Sequence, residues 1–438
     1  MKYRKFALIS LLLLFAACTE IDDRSSQENA PAKPSYNISL SDISKIDFSR
    51  MVTPQTKASG TLNKVITPIV QETDTLLYVI NYGQKEGWVL APGDKRLPRI
   101  LALSETGSFD LESASENIGL MTWLEKQKSY IKYLKAHPDY VPDQTVLLQW
   151  DPSLLQTKGG GEDDHEGEWL QLVYTMIGPQ TRYYVDHLMD TQWGQGNPWN
   201  TCVPFDGNGH RCQTGTGVTA LAQLSYYRRK PQTAYAYGTC SNNYNQTSDL
   251  QLFNASSSVW NTMALDSNSG TTAGYQAVAA LMAGIGASTS TYLPNKTVTS
   301  ATSGSNYLSS VGISMYLNTF DNDMVLSNIL NDDPVLLVMT DNNNDTQYAV
   351  IDGIQVLAEN TTYYYQWMPI GTFPPVEPEY PDLDHPELYV ISVNWGDNVA
   401  YFHRINWGFD GLYDNAWYWH GNSYPYWDGL NTPSFAFY

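Results

Sequence analysis

Basic charge is scarce in this 438-residue chain, with 25 Lys and Arg against 45 Asp and Glu and a formal net charge of −20. A phosphate backbone would be repelled, so nucleic acid is excluded as a partner. Charged residues of both signs make up only 16% while aromatics reach 13%, led by 31 Tyr and 13 Trp, the balance of a tightly folded exported protein and not of a disordered one. No Cys or His grouping has metal-ligand spacing and no phosphate loop occurs, so neither metal nor cofactor is expected. No repeat of domain size is visible, and 438 residues suffice for two or three domains.

Long apolar runs are also missing. The longest, Phe6–Ala17, follows Lys2, Arg4 and Lys5 and is too short to span a bilayer, so it reads as a signal peptide. It ends Phe15-Ala16-Ala17-Cys18, which looks like a bacterial lipoprotein cleavage box. Residues 1–18 are then a lipoprotein signal peptide, Cys18 is the lipidated residue, and the chain is held to the outer membrane or cell surface. The alternative is an ordinary cleaved signal with an incidental cysteine. Beyond Cys18 only Cys202, Cys212 and Cys240 remain, an odd number for an oxidising compartment. Cys202 and Cys212 are spaced to close a short loop as a disulfide with Cys240 left over, but the sequence does not choose among the pairings.

Residues 19–36, rich in Ser, Pro, Asn and Ala, form a tether. Residues 37–141 hold short β-prone runs, Leu76–Tyr82, Gly87–Ala91 and Ile100–Ser104, and a helical pattern over Asn117–Lys135 with Leu120, Leu124, Ile131 and Leu134 in a stripe, which together predict a small α+β domain. Residues 142–168 read as a flexible acidic linker containing Gly159-Gly160-Gly161-Glu162-Asp163-Asp164-His165, open to proteolysis. Residues 169–438 make the large domain. Its helical part includes Gly274–Gly286, and its strand-rich part includes Pro334–Thr340, Gln347–Val356, Leu388–Trp395 and Ala400–Trp407.

The chain is organised around Gln192–Pro231, where a polar, glycine-rich loop meets a helix that starts at Thr216 or Gly217 and buries Val218, Leu221, Ala222 and Ser225 on one face. This stretch resembles the nucleophile region of the streptopain family of secreted cysteine proteases. The run Leu76–Asp110 likewise resembles that family's inhibitory prodomain. The resemblance implies an α+β, papain-like two-part fold, a helical part and an antiparallel β part with the cleft between them, preceded by the prodomain.

Carried over one position at a time, the family's site is altered here. Gln195, within Gln-Gly-Asn-Pro, matches the oxyanion glutamine. Thr216 stands at the nucleophile position, where a cysteine would become a thiolate against the helix N-terminus, and its hydroxyl is read as an N-cap. Gln347, in Gln347-Tyr348-Ala349-Val350-Ile351-Asp352-Gly353, occupies the histidine position, and an amide takes no proton near neutral pH. Asn406 and Trp407, in Asn406-Trp407-Gly408, match the orienting and shielding positions and are chosen over the upstream Asn394-Trp395-Gly396 because Phe409, Gly411 and Tyr413 continue the pattern.

These replacements imply a pseudo-protease that binds peptide or protein in its cleft and pairs with its own prodomain. Two alternatives stand beside it. One is an active cysteine endopeptidase with a displaced nucleophile, such as Cys212 working with His403. The other is a glycan-binding adhesin using the aromatic segment Trp417–Trp427.

Overall fold

The computed structural model describes residues 35–46, 48, 63–141, 144–150, 168–231, 240–241, 247–248, 257–293, 296–341, 343–369, 388–420 and 435–437. Cys18, the segment 19–34, His165 with its glycine-rich surroundings, and residues 421–427 of the aromatic segment lie outside them. The described residues from Tyr36 onward cluster as one unit.

The N-terminal α+β region opens with helix α1 (Leu40–Lys45), started by a reciprocal capping box between Ser39 and Asp42. Strands β1 (Lys64–Gln71), β2 (Asp74–Tyr82), β3 (Trp88–Pro92) and β4 (Ala102–Ser104) follow in an antiparallel meander. Alternation along β2 sends Leu77 and Val79 into one core and Tyr78, Ile80 and Tyr82 into another, so the strand is buried on both faces. Helix α2 (Ile118–Ala136) covers the first face with Leu120, Leu124, Ile131 and Leu134, the stripe expected from its spacing. Its N-cap, Asn117, accepts from the Leu120 N–H at 2.9 Å.

The linker expected over 142–168 is partly structured. Helix α3 (Gln144–Trp150) lies within it, and its Trp150 indole donates to the Leu97 carbonyl at 2.8 Å. Strand β5 (Glu168–Val185) starts inside it.

The C-terminal region contains helices α4 (Thr216–Arg228), α5 (Thr272–Thr289), α6 (Ala301–Ser310) and α7 (Asn322–Leu330). The short hairpin β6 (Ser290–Tyr292)–β7 (Thr297–Thr299) stands apart from the main sheet. The other strands are β8 (Leu317–Thr319), β9 (Val335–Thr340), β10 (Thr346–Pro369), β11 (Leu388–Asn406), β12 (Trp417–Trp419) and β13 (Phe435–Phe437). Where sequence spacing suggests separate strands at Leu388–Trp395 and Ala400–Trp407, the chain runs as one. Strand β10 also extends well past Val356, because β9 pairs only with its Thr346–Ile351 portion while β5 takes the same edge from Ile354 to Pro369.

All main-sheet strands belong to one eleven-stranded sheet of order β1-β2-β3-β4-β12-β11-β10-β9-β13-β8, with β5 alongside β10. The joint between the two regions is antiparallel pairing of β4 with β12, Leu103 opposite Trp417 and Ala102 opposite Tyr418. The apolar packing is continuous across the same joint: Leu77, Leu90, Leu120 and Trp123 share a core with Val335, Leu337, Ile351, Ile405 and Trp407. The cap residue reinforces it, since the Asn117 amide nitrogen donates to the Leu412 carbonyl at 3.0 Å. A Cβ on Gly119 would lie 2.9 Å from the Trp407 ring, so only glycine lets α2 come this close.

Two outcomes follow from this shared core. Gly119→Val should destabilise the chain by about 1–3 kcal/mol through overpacking against Trp407, read by urea denaturation. A chain cut by a protease between residues 151 and 167 should still elute as a single species in size-exclusion chromatography, with both fragments in one peak. Separation of the fragments without denaturant would contradict the shared core.

Candidate functional site

The site lies where α4 meets the first residues of β10. A second core, of Val218, Leu221, Val278, Met282 and Ile285 with Leu336, Val338, Tyr348 and Val350, fixes α4 and α5 against the sheet. The helix begins at Thr216, but Thr216 is not its cap. The N-cap is Gly215 at φ 91°, with no side-chain capping bond. A Cβ there would lie 2.9–3.0 Å from Thr297, so glycine is required by both conformation and contact.

Freed from capping, the Thr216 hydroxyl bonds across to the strand. It donates to Gln347 Oε1 at 3.2 Å and accepts from the Tyr348 N–H at 3.2 Å. Gln347 Nε2 donates in turn to Asp341 Oδ2 at 3.1 Å, while Asp341 Oδ1 takes the N–H groups of Asn343 and Asp345. Thr216 and Gln347 are both buried. The two positions that family resemblance pairs as nucleophile and base are thus side by side and joined by a neutral hydrogen bond. An amide oxygen does not take the hydroxyl's proton at any ordinary pH, so this pair contains no activated nucleophile.

Asn406, at the end of β11, is not linked to Gln347. Its Oδ1 accepts from Gln223 Nε2 at 2.8 Å and from the Gly408 N–H at 3.2 Å, and its Nδ2 donates to the Thr191 carbonyl at 2.5 Å. Its amide is engaged with the helix and the entering loop, so it orients nothing at position 347. Trp407 is fully buried in the core shared with α2, its ring 5.1 Å edge-on from Tyr418.

Gln195 is brought to the start of α4. The Thr214 N–H donates to its carbonyl at 3.0 Å, and Thr219 Oγ1 donates to the Gly194 carbonyl at 3.3 Å. The loop is pinned from its other side by Trp199, whose indole donates to Asp410 Oδ1 at 2.6 Å. Burial raises the Asp410 carboxyl above its usual range, against the Trp199 bond that lowers it. The Gln195 amide nitrogen itself is buried and has no hydrogen-bond acceptor among the described residues.

The structure does not bring Cys212 and His403 together. Cys212 packs with Val203, Ala283 and Tyr292, and burial pushes its thiol up, with Asp206 adding to the rise. His403 is fully buried against Phe320 and His420, neither ring nitrogen is hydrogen-bonded among the described residues, and burial holds it down to about 3. Cys202 and Cys212 are both free thiols, so the short disulfide loop is not formed. The side chain of Cys240 lies outside the described residues. Of the aromatic segment, Trp417 is buried and Tyr418 fully so, within a strand paired on both sides, so these rings pack the joint instead of facing a sugar.

Three contributors escape a reading by motif. Gln223 lies seven residues after Thr216, two helical turns on and so on the same face, a spacing that could have pointed to it. Asp341 and Asp345 flank a run of three Asn, a turn signature that places a carboxylate just before β10. Thr191 contributes only a carbonyl, which carries no sequence signal.

Comparison with known proteins bears on the whole arrangement. The Peptidase C10 family matches residues 193–418, just over half of the chain. The chain belongs to this family. A Spi protease inhibitor model matches residues 46–131, so a streptopain-type peptidase region follows a prodomain of inhibitor type. Streptopain of Streptococcus pyogenes is 28% identical over 232 residues, 48% of this chain and 49% of that protein. The thiol protease/hemagglutinin PrtT of Porphyromonas gingivalis is 24% identical over 167 residues, 37% of this chain and 16% of that protein. The chain therefore spans about half or less of the curated relatives it matches. A fragment of prointerpain A from Prevotella intermedia shares the fold, with a TM-score of 0.54 at 17% identity over 85% of this chain and 98% of that one.

This C10 chain should respond to substitution at its neutral pair. Thr216→Val leaves the Tyr348 N–H and the Gln347 carbonyl without their partner and should cost about 1–3 kcal/mol in urea unfolding. Two buried titrating groups oppose each other in pH dependence. Burial lifts Asp414 from 3.8 to about 7, so the native state keeps a proton that the unfolded chain releases, and stability declines as pH rises through this window. His403 is displaced from 6.5 to about 3, so the unfolded chain binds the extra proton and stability declines as pH falls. Relative to wild type, Asp414→Asn should therefore gain stability at pH 7 over pH 4, and His403→Phe at pH 4 over pH 7. Unfolding midpoints at the two pH values check both signs.

Proposed function

We propose that this chain is a non-catalytic C10 family member, exported and anchored through Cys18, whose cleft binds peptide or protein without cutting it. The observation that carries the reading is the Thr216–Gln347 hydrogen bond, a neutral pair at the two positions where the family resemblance calls for thiolate and imidazole. In serine proteases, loss of nucleophile or base alone removes about six orders of magnitude in turnover. Both are replaced here, while Gln195 keeps its place beside the first turn of the helix. The lipoprotein reading rests on Phe15-Ala16-Ala17-Cys18 after a short apolar run, and the prodomain remains a constitutive partner through the core it shares with the peptidase region.

The test compares hydrolysis of a fluorogenic peptide amide by the full chain with that by Thr216→Cys/Gln347→His, both under reducing conditions. Wild type should be silent. The double variant should regain turnover and be labelled by a thiol-directed peptide epoxide. Wild-type hydrolysis that is abolished by thiol reagents and by Cys212→Ser would overturn the reading in favour of a displaced nucleophile.

A further inference from the structure

We infer that Asp341 is the positioning residue of this site, holding the side chain at position 347 against position 216, the part that family resemblance gives to Asn406. The inference deepens the non-catalytic reading and rests on its assignment of positions 216 and 347. Asn406 has nothing left to offer position 347. Its oxygen is taken by Gln223 Nε2 and the Gly408 N–H, and its nitrogen gives to the Thr191 carbonyl. Gln347 Nε2 bonds instead to Asp341 Oδ2 at 3.1 Å, from the turn just before its own strand.

The turn between β9 and β10 aims that oxygen. Asp341 Oδ1 accepts from the N–H groups of Asn343 and Asp345 at 2.8 and 2.9 Å, the bonding by which an aspartate fixes its own turn. Backbone bonds close the turn, from the Asp341 N–H to the Asp345 carbonyl at 2.9 Å and from the Asn344 N–H to the Asp341 carbonyl at 3.0 Å. With one oxygen spent on the turn, the plane of the carboxylate is set and Oδ2 is left for residue 347. Asp345 is bridged in turn to Lys296 at 2.5 Å, in the loop between β6 and β7. The adjoining Thr297 donates to the Gln213 carbonyl at 2.6 Å and lies against Gly215, so the turn is tied to the residues that lead into α4.

The charge of Asp341 also fixes the direction of every bond in the pair. An ionised carboxylate only accepts, so it faces Gln347 Nε2, which leaves Oε1 towards Thr216 and requires the Thr216 hydroxyl to donate to it. The Tyr348 N–H donates to that hydroxyl from its other side. The Thr216 proton is thereby directed into the protein and not at a ligand in the cleft. An imidazole at position 347 would meet the same carboxylate, which favours its protonated form.

The test introduces an imidazole into the full chain by Gln347→His and follows its ring nitrogens by NMR from about pH 4 to 9, across the ordinary histidine range. Asp341→Asn is then added. Asparagine keeps one oxygen for the N–H groups of the turn but puts an NH2 in place of the second carboxylate oxygen. With Asp341 present the imidazole should hold its proton about tenfold more tightly than with Asp341→Asn, one pKa unit for a carboxylate within bonding distance. Equal titration with and without the carboxylate would overturn the role. The unsubstituted chain supplies a second measurement: the Gln347 side-chain amide protons should shift as the Asp341 carboxyl carbon titrates, and an amide indifferent to that titration would also overturn it. Neither measurement requires turnover, so each stands whether or not the chain hydrolyses peptides.

Discussion

Val335–Met339 of β9 and Gln347–Ile354 of β10 are buried on both faces, and the elements around them are arranged to keep them so. Strict alternation sends Leu337, Met339, Ala349 and Ile351 towards the core under α2, and Leu336, Val338, Tyr348 and Val350 towards the core under α4 and α5. Each face needs a cover of its own. Helices α4 and α5 cover one, and the prodomain together with Phe320, Val325 and Ile329 at α7 covers the other. Removing the prodomain would bare a sheet face and the Trp407 ring together, so in this chain the inhibitor-type region is also half of the core.

The same two-sided constraint sets the shape of the site without calling on any charge within it. Thr216 and Gln347 sit at the contact of α4 with β10, a contact set by apolar packing and by the Tyr348 N–H, neither of which needs a thiolate or an imidazole. Asn406 is held by Gln223 and Thr191 whatever stands at position 347. A neutral pair in the middle also avoids the cost of keeping ions from water, which a buried thiolate and imidazolium must meet with each other.

The α+β class, the prodomain strands, the α2 stripe and the start of α4 were legible in the sequence, because each rests on local periodicity or on a glycine at a turn. The proximity of positions 216 and 347 was legible only through resemblance, since no pattern in the chain links residues so far apart. Three features were not legible. The capping role expected of Thr216 fails because Thr297, from a distant hairpin, forces glycine at the preceding position and leaves the hydroxyl to a partner in β10. The extent of β10 depends on β5 taking over an edge from β9, a tertiary event. The rings of Trp417 and Tyr418, which composition alone offers as a binding surface, are buried by strands from both ends of the chain.

That last feature sets an order of events. Ser104 and Asn415 are in contact across the β4–β12 joint, 311 residues apart in sequence. The N-terminal region leaves the ribosome first, yet the strand that completes its sheet follows only after a long intervening stretch of chain. Until that strand is made, β4 has an unpaired edge and α2 has half a core beneath it. Such edges recruit other strands. A chain built this way needs its early edge shielded until the late strand is made.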